Sequence, residues 1–260
     1  MSEQASEAVS LFLGNSAAVT QTVACSGGVN NFVFYVDVQQ QPHSQTLTRL
    51  VLRIYNNGGS EDKVLFEHFI PSSIDSTKLS FAIPVPIKDS SNSTFVQLKS
   101  GAHAALFPLI PGQLPKLKHA KSIGHASGQL SLALSAIQVP ESMHIPTPPY
   151  HNLYAAHPSA KDSRTFLAFT AKLDFEPVRE TINFLCARIA QMEERIKHLL
   201  SLNFPTQLIH GDLHYDNVLC DMSTGKVQGL LDFEFCAMDW RAMELAICLS
   251  KYAGEMPDPF

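Results

Sequence analysis

The chain is short of charge. Lys, Arg, Asp and Glu make up 17% of its 260 residues, and the acidic ones outnumber the basic by 24 to 19. A formal charge of −5 with a pI near 6.1 leaves no basic surplus of the kind that gathers nucleic acid or an anionic membrane, so neither partner is expected. Cysteine is sparse and has no pairing pattern. Cys25, Cys186, Cys220, Cys236 and Cys248 are odd in number and form no CxxC, which points to reduced thiols and not to a disulfide frame. No apolar run approaches membrane-spanning length, and the stretch from Met1 to Glu7 lacks the basic-then-apolar profile of a secretion signal, so a cytoplasmic protein is expected. Repeats and low-complexity tracts are lacking too. The 45% apolar content that remains can build one large core or two lobes.

What is present is concentrated in one stretch. His210-Gly211-Asp212-Leu213-His214-Tyr215-Asp216-Asn217 is followed, after a hairpin-like segment, by Gly229-Leu230-Leu231 and Asp232-Phe233-Glu234. Residues 218–222 and 226–231 suit strands, and Ser223-Thr224-Gly225 suits a turn. With a loop over 223–226, antiparallel register opposes Met222 to Val227, Val218 to Leu231 and therefore Asn217 to Asp232. Two oxygen-bearing side chains then meet at one end of the hairpin, where they can share a hard cation such as Mg2+. Asp212 lies in the loop just before, placed to orient a hydroxyl that attacks a phosphoryl group. Phosphoryl transfer asks little more of a protein than positioning and charge neutralisation. Any one of these residues alone would read as a turn cap; the set in this order reads as a kinase site. His210 and His214, four apart, also fit a zinc pair on a helix, but Gly211 between them argues against helix there.

The His-Gly-Asp-x-x-x-x-Asn loop followed by Asp-Phe-Glu resembles the aminoglycoside phosphotransferase and choline kinase superfamily, and its wording is most similar to type II homoserine kinases. The resemblance implies an α+β, two-lobed protein-kinase-like fold, with a small antiparallel-sheet N-terminal lobe over residues 1–108 and a mainly helical catalytic lobe over 109–260. It implies ATP and Mg2+ as cofactors, Asp212 as catalytic base, Asn217 and Asp232 as magnesium ligands, and His210 as support for the loop. Asp239-Trp240-Arg241-Ala242-Met243-Glu244-Leu245-Ala246 is similar to the family's Asp-Leu-Ala helix, with Glu244 in place of the aspartate.

The N-terminal half agrees with such a lobe. Residues 18–25 and 32–38 read as strands around Gly27-Gly28, a tip whose backbone amides would reach phosphate, although adjacent glycines are also an ordinary turn. Leu50-Val51-Leu52-Arg53-Ile54-Tyr55 reads as the next strand, with Arg53 where a kinase carries its phosphate-binding lysine. A helix over 60–69 follows, with Glu67 the candidate partner of Arg53 and Glu61 the alternative. Strands are expected over 79–83, 94–98 and 102–107. The last runs into Pro108-Leu109-Ile110-Pro111-Gly112, the expected hinge, where the resemblance implies that Phe107 to Ile110, Leu109 among them, border adenine.

Beyond the hinge, helices are expected over 118–134 and 176–202, separated by a Pro- and His-rich irregular stretch over 139–163. Tyr150, His151, Asn152 and Tyr154 in that stretch, with Glu234, are the candidates for the acceptor pocket. The expected activity is transfer of the γ-phosphate of ATP to a hydroxyl of a small metabolite, homoserine kinase-like. A choline, ethanolamine or aminoglycoside kinase is an alternative, and a nucleotide-binding scaffold without turnover is the alternative of another class. Family members usually continue past the point where this sequence stops, so a shortened form or fragment is expected.

Overall fold

A computed structural model describes residues 2–25, 31–39, 47–56, 60–155, 161–172 and 176–254. Gly27 and Gly28 lie outside them. The first element is a helix with no counterpart in the expectations above, α1 (Ser2–Leu13). Its buried residues Ala5, Ala8, Val9 and Phe12 recur at the three-and-four spacing of one helix face. That face closes one side of a five-stranded antiparallel sheet ordered β1-β2-β3-β5-β4, formed by β1 (Ala18–Ala24), β2 (Phe32–Gln39), β3 (Leu47–Ile54), β4 (Val96–Gln97) and β5 (His103–Pro108). Strand alternation sends Leu50, Leu52, Ile54, Ala104 and Leu106 toward α1. The opposite face carries Val51, Arg53, Tyr55, Ala105 and Phe107, and α2 (Glu61–Ser73) packs there through Val64.

The far end of α2 belongs to a second core. Phe66, Ile70 and Ile74 pack with Ile123, Ala126, Leu130 and Leu134 of α3 (Ala120–Ser135), and with Leu208, Leu213, Val218, Leu230 and Phe233. These last residues come from β6 (Thr206–Ile209), β7 (Val218–Cys220), β8 (Val227–Leu230) and the loops between them. β6 pairs with β9 (Ala237–Trp240), which leads into α6 (Arg241–Gly254). Between α3 and β6 lie α4 (Ser163–Lys172) and α5 (Arg179–Leu200). α5 has no buried residue, and Phe184, Leu185 and Met192 are exposed along it. Among the described residues no helix is long and apolar enough to cross a membrane.

Three expectations need correction. Residues 79–83 are not a strand: Ala82 makes a single parallel bridge to Gly229, and Pro84 and Pro86 follow too closely for a ladder to grow. The 94–98 strand shrinks to Val96–Gln97. The hairpin register also slips. Val218 opposes Leu230, Leu219 opposes Gly229 and Cys220 opposes Val227, with a bulge between. Asp221 causes part of this, because its carboxylate accepts from Ser223 N and Oγ at 2.7 and 2.6 Å and starts the turn early. The bulge accounts for the rest. It turns the Gln228 carbonyl out to accept from Ala82 N at 2.8 Å, so a third segment docks on the hairpin.

Candidate active site

The loop after β6 is built around His210, which is fully buried. Its Nε2 donates to the Leu231 carbonyl at 2.9 Å, its ring meets Phe233 edge-on at 4.9 Å, and its backbone N–H donates to the Glu244 carboxylate on α6. One side chain therefore fixes the 210–217 loop against the segment that carries Asp232. Gly211 makes the turn at φ 79°; a Cβ there would strike the Phe235 carbonyl and lie 2.7 Å from Tyr150 Oη.

Asp212 then emerges partly exposed. Asn217 Nδ2 donates to its carbonyl at 2.8 Å and its Oδ2 at 3.0 Å, and His214 Nε2 stands 3.4 Å from the same oxygen. The Asn217 carbonyl accepts from Leu231 N at 2.9 Å, so despite the slipped register Asn217 and Asp232 still leave the hairpin at the same end. Asp232 adopts φ 65°, a left-handed conformation that costs a non-glycine residue about 1–3 kcal/mol and clusters at functional sites.

Arg53 comes in from the sheet above. Its Nη1 donates to Glu67 Oε1 at 2.6 Å, and its Nη2 donates to Asp232 Oδ1 at 3.1 Å and Glu234 Oε2 at 2.8 Å. The pairing is with Glu67; Glu61 instead lies 3.6 Å from His103 Nε2. Burial works against the guanidinium's charge, but Glu67, Asp232, Tyr55 and Glu234 outweigh it and hold Arg53 ionised. Burial pushes the Glu67 carboxyl up to about 8 against the pull of Arg53. Glu234 also accepts from Asn31 Nδ2 at 2.7 Å, so its carboxylate faces the sheet lobe.

The segment from Phe107 to Gln113 packs against the hairpin. Gln113 exchanges backbone hydrogen bonds with Cys220, Gly112 packs on Leu219, and Ile110 Cγ2 sits where a Cβ on Gly229 would be, 2.5 Å away. The Phe107 side chain is buried against α2, its ring edge-on to His68 at 5.7 Å, whereas Leu109 is exposed. On the other side, the irregular stretch is tied down by Asp239 of β9. Its fully buried carboxylate accepts from Tyr150 N at 2.6 Å and His151 Nδ1 at 2.6 Å. The Tyr150 hydroxyl donates to the Phe235 carbonyl at 2.8 Å, and the His151 ring stacks on Trp240 at 4.4 Å. Burial, with Cys236, Asp212, Glu244 and Asp239 nearby, raises the Tyr150 pKa. Asn152 and Tyr154 lie further along, exposed and half-buried.

Sequence reasoning missed Asp239 as an anchor and Asn31, Tyr55 and His68 as partners of the Arg53 cluster. A signal existed for His68, which stands four residues after Val64 on the buried face of α2. Among the described residues no group of three or more His, Cys, Asp or Glu side chains is arranged to hold a metal by itself. Magnesium does not require one, since it keeps waters and takes one or two protein oxygens besides those of phosphate; Asn217 and Asp232 meet that donor set.

Two lobes joined by a hinge, with carboxylates converging beneath a buried arginine, define the class of protein-kinase-like phosphotransferases. Solved structures carry the same fold. The GDP complex of a mutant aminoglycoside 2'-phosphotransferase-IIIa superposes with TM-score 0.61 at 16% identity, over 90% of this chain and 72% of that one. A microcompartment-associated aminopropanol kinase gives 0.61 at 12% identity, over 90% and 70%. Residues 22–259 match the model of the phosphotransferase enzyme family, and the chain belongs to that family. It is 23% identical over 241 residues to a homoserine kinase of Agrobacterium fabrum, covering 92% of this chain and 66% of that protein. A homoserine kinase of Rhodopseudomonas palustris is 26% identical over 180 residues, 68% of this chain and 49% of its own length. The chain thus spans from about half to just under two thirds of the curated relatives it matches.

Proposed function

We propose that the chain is an ATP-dependent kinase that phosphorylates a hydroxyl of a small, amine-bearing metabolite, homoserine being the favoured acceptor. The observation that carries this reading is the run of contacts from Glu67 through Arg53 to Asp232, and from the neighbouring Leu231 N–H through Asn217 to Asp212. Residues 1–108 form the nucleotide lobe and 109–260 the catalytic lobe, with α2 reaching from the first into the core of the second. Asp212 accepts the proton of the attacking hydroxyl, and Asn217 holds that carboxylate in place. Asn217 and Asp232 would hold magnesium, which would supply positive charge against the phosphates. Arg53 reaches the phosphates from above. The backbone of the hinge from Phe107 to Leu109 borders adenine. His210 and Glu244 hold the loop.

The irregular stretch supplies the acceptor side, with Tyr150, His151, Asn152 and Tyr154 its candidate contacts. Tyr150 and His151 serve first to anchor it on Asp239 and the Phe235 carbonyl. Glu234, gripped by Arg53 and Asn31, belongs better with the phosphate side. Homoserine kinases among the sequence relatives and an aminopropanol kinase among the structures favour a small amino alcohol. The test is ADP release with ATP and Mg2+ across homoserine, choline, ethanolamine, aminopropanol and an aminoglycoside, with products read by mass spectrometry. One phosphorylated product is expected, and Asp212→Ala should lower turnover about 10²–10⁴-fold while nucleotide binding persists. Nucleotide binding without transfer to any acceptor would replace this reading with that of a scaffold.

A further inference from the structure

We propose that His68 is a positioning residue, acting through Tyr55, for the Arg53–Glu67 pair. The inference rests on the nucleotide role given to Arg53 above. Glu67 and His68 are consecutive on α2 and both buried, at 6% and 2% exposure, yet they serve different partners. His68 Nε2 lies 2.7 Å from Tyr55 Oη, and His68 Nδ1 lies 2.8 Å from Thr94 Oγ1. Tyr55 in turn carries the Arg53 guanidinium over its ring at 5.3 Å, and its hydroxyl supports the ionised form of Glu67. Phe107 and Phe95 pack around the imidazole with centroids at 5.7 and 6.5 Å. A polar chain therefore runs from Thr94 to the ion pair through a wall that is otherwise aromatic.

The direction of the protons gives this chain a purpose. Burial lowers the His68 pKa to about 3, so the ring is neutral, with one nitrogen donating and the other accepting. Two arrangements satisfy both distances. In one, Tyr55 donates to Nε2, Nδ1–H donates to Thr94, and the Tyr55 proton is lost to Glu67. In the other, the Thr94 hydroxyl donates to Nδ1, Nε2–H donates to Tyr55, and the Tyr55 proton is delivered to Glu67. A carboxylate is the stronger acceptor, so the second arrangement prevails. His68 in this tautomer directs the Tyr55 hydroxyl to Glu67, a hydrogen bond that pulls the carboxyl's pKa down against the burial that raises it. The Glu67 carboxyl held in this way retains Nη1 of Arg53, which sets where the rest of the guanidinium points. Without His68, Tyr55 turns away, Glu67 loses the partner that fixes it on this side, and Arg53 drifts toward Asp232 and Glu234. A core residue chosen for packing alone would be Leu or Met at this position.

The experiment measures ATP binding by calorimetry on the full chain without acceptor, for wild type, His68→Leu, His68→Gln and Tyr55→Phe. Unfolding curves verify that each variant is folded. His68→Leu and Tyr55→Phe should each weaken ATP five- to tenfold. Their combination should be no worse than either alone, because both interrupt the same chain. His68→Gln, which can donate to Tyr55 and accept from Thr94, should return affinity to within twofold of wild type. Once an acceptor is known, the defect should appear in KM for ATP with kcat little changed. If His68→Leu does not fold, Tyr55→Phe and His68→Gln decide the matter. Wild-type affinity in folded His68→Leu or Tyr55→Phe, or effects that multiply in the double variant, would overturn the proposal. Failure of the wild-type protein to bind ATP would instead sink the kinase reading on which it rests.

Discussion

Replacing Arg53 by methionine removes the one guanidinium that three carboxylates share. Glu67 lies 2.6 Å from it with its side chain 8% exposed, the Glu234 side chain lies 2.8 Å away at 19%, and that of Asp232 lies 3.1 Å away at 30%. Breaking a buried pair by deleting one partner costs about 3–5 kcal/mol, because the surviving charge is left without compensation. Here Glu67 has an escape: burial already lifts its pKa to about 8 against the pull of Arg53, and without that pull it takes a proton more readily still. A carboxyl whose pKa is raised on folding contributes stability that is fully present below its unfolded value near 4.5 and is lost as pH rises through the folded value. Arg53→Met should therefore be destabilised by about 3–5 kcal/mol at pH 8.5, a fall in Tm of roughly 6–20 °C for a domain of this size, and by less at pH 5.5. Urea unfolding of the nucleotide-free protein at the two pH values measures this. Adding Glu67→Gln to Arg53→Met should restore much of the loss at pH 8.5. A penalty under about 1 kcal/mol at pH 8.5, or losses in the two single variants that simply add in the double variant, would refute the reasoning.

Three further outcomes are expected. Gly229→Ala puts a methyl group 2.5 Å from Ile110 Cγ2 and should cost about 1–3 kcal/mol of overpacking, most of it recovered when Ile110→Ala is added; thermal unfolding of the three variants checks this. Glu234→Gln removes a carboxylate from the site of an incoming polyphosphate. At about 5 Å and an effective dielectric of 20 the repulsion is ~3 kcal/mol before solvent and salt reduce it, so ATP in EDTA should bind about tenfold tighter; weaker binding would assign Glu234 another role. His68, with its pKa lowered to about 3, contributes stability that is present above 6.5 and lost as pH falls toward 3, at up to about 1.4 kcal/mol per pH unit. The stability difference between wild type and His68→Leu should shift against the wild type on going from pH 6.5 to 5, and parallel curves would contradict the neutral buried imidazole.

The chemistry-bearing loop was legible because its residues lie close along the chain. Asp212, Asn217 and Asp232 sit on one loop and one hairpin, and a register error of one residue did not separate Asn217 from Asp232, since both lie at the open end. The Arg53–Glu67 pair was legible because a strand running into a helix leaves few carboxylates within reach. Less local features were hidden. The bulge at Gln228 depends on Ala82, some 146 positions earlier, and no property of the hairpin sequence signals it. Asp239 was read as the start of a helix because the stretch around it matches a helical motif, but it lies within β9 and holds Tyr150 and His151 from across the lobe. α1 was legible and overlooked: Ala5, Ala8, Val9 and Phe12 already have helical spacing.

The charge balance of the cleft explains why a dication belongs to its proposed chemistry. Arg53 is the only Lys or Arg bonded to the site's carboxylates among the described residues, and Glu67 already takes one side of it. Asp232 and Glu234 both rest on the other side of that one guanidinium, and Asp212 adds a third carboxylate beside them on the same face of the hairpin loop. A free nucleotide meets repulsion there. A cation held by Asp232 and Asn217 would supply the positive charge that offsets these carboxylates and a polyphosphate. The left-handed backbone at Asp232 is the local strain that sets its carboxylate beside Arg53 at the open end of the hairpin, where the proposed reading needs a metal ligand.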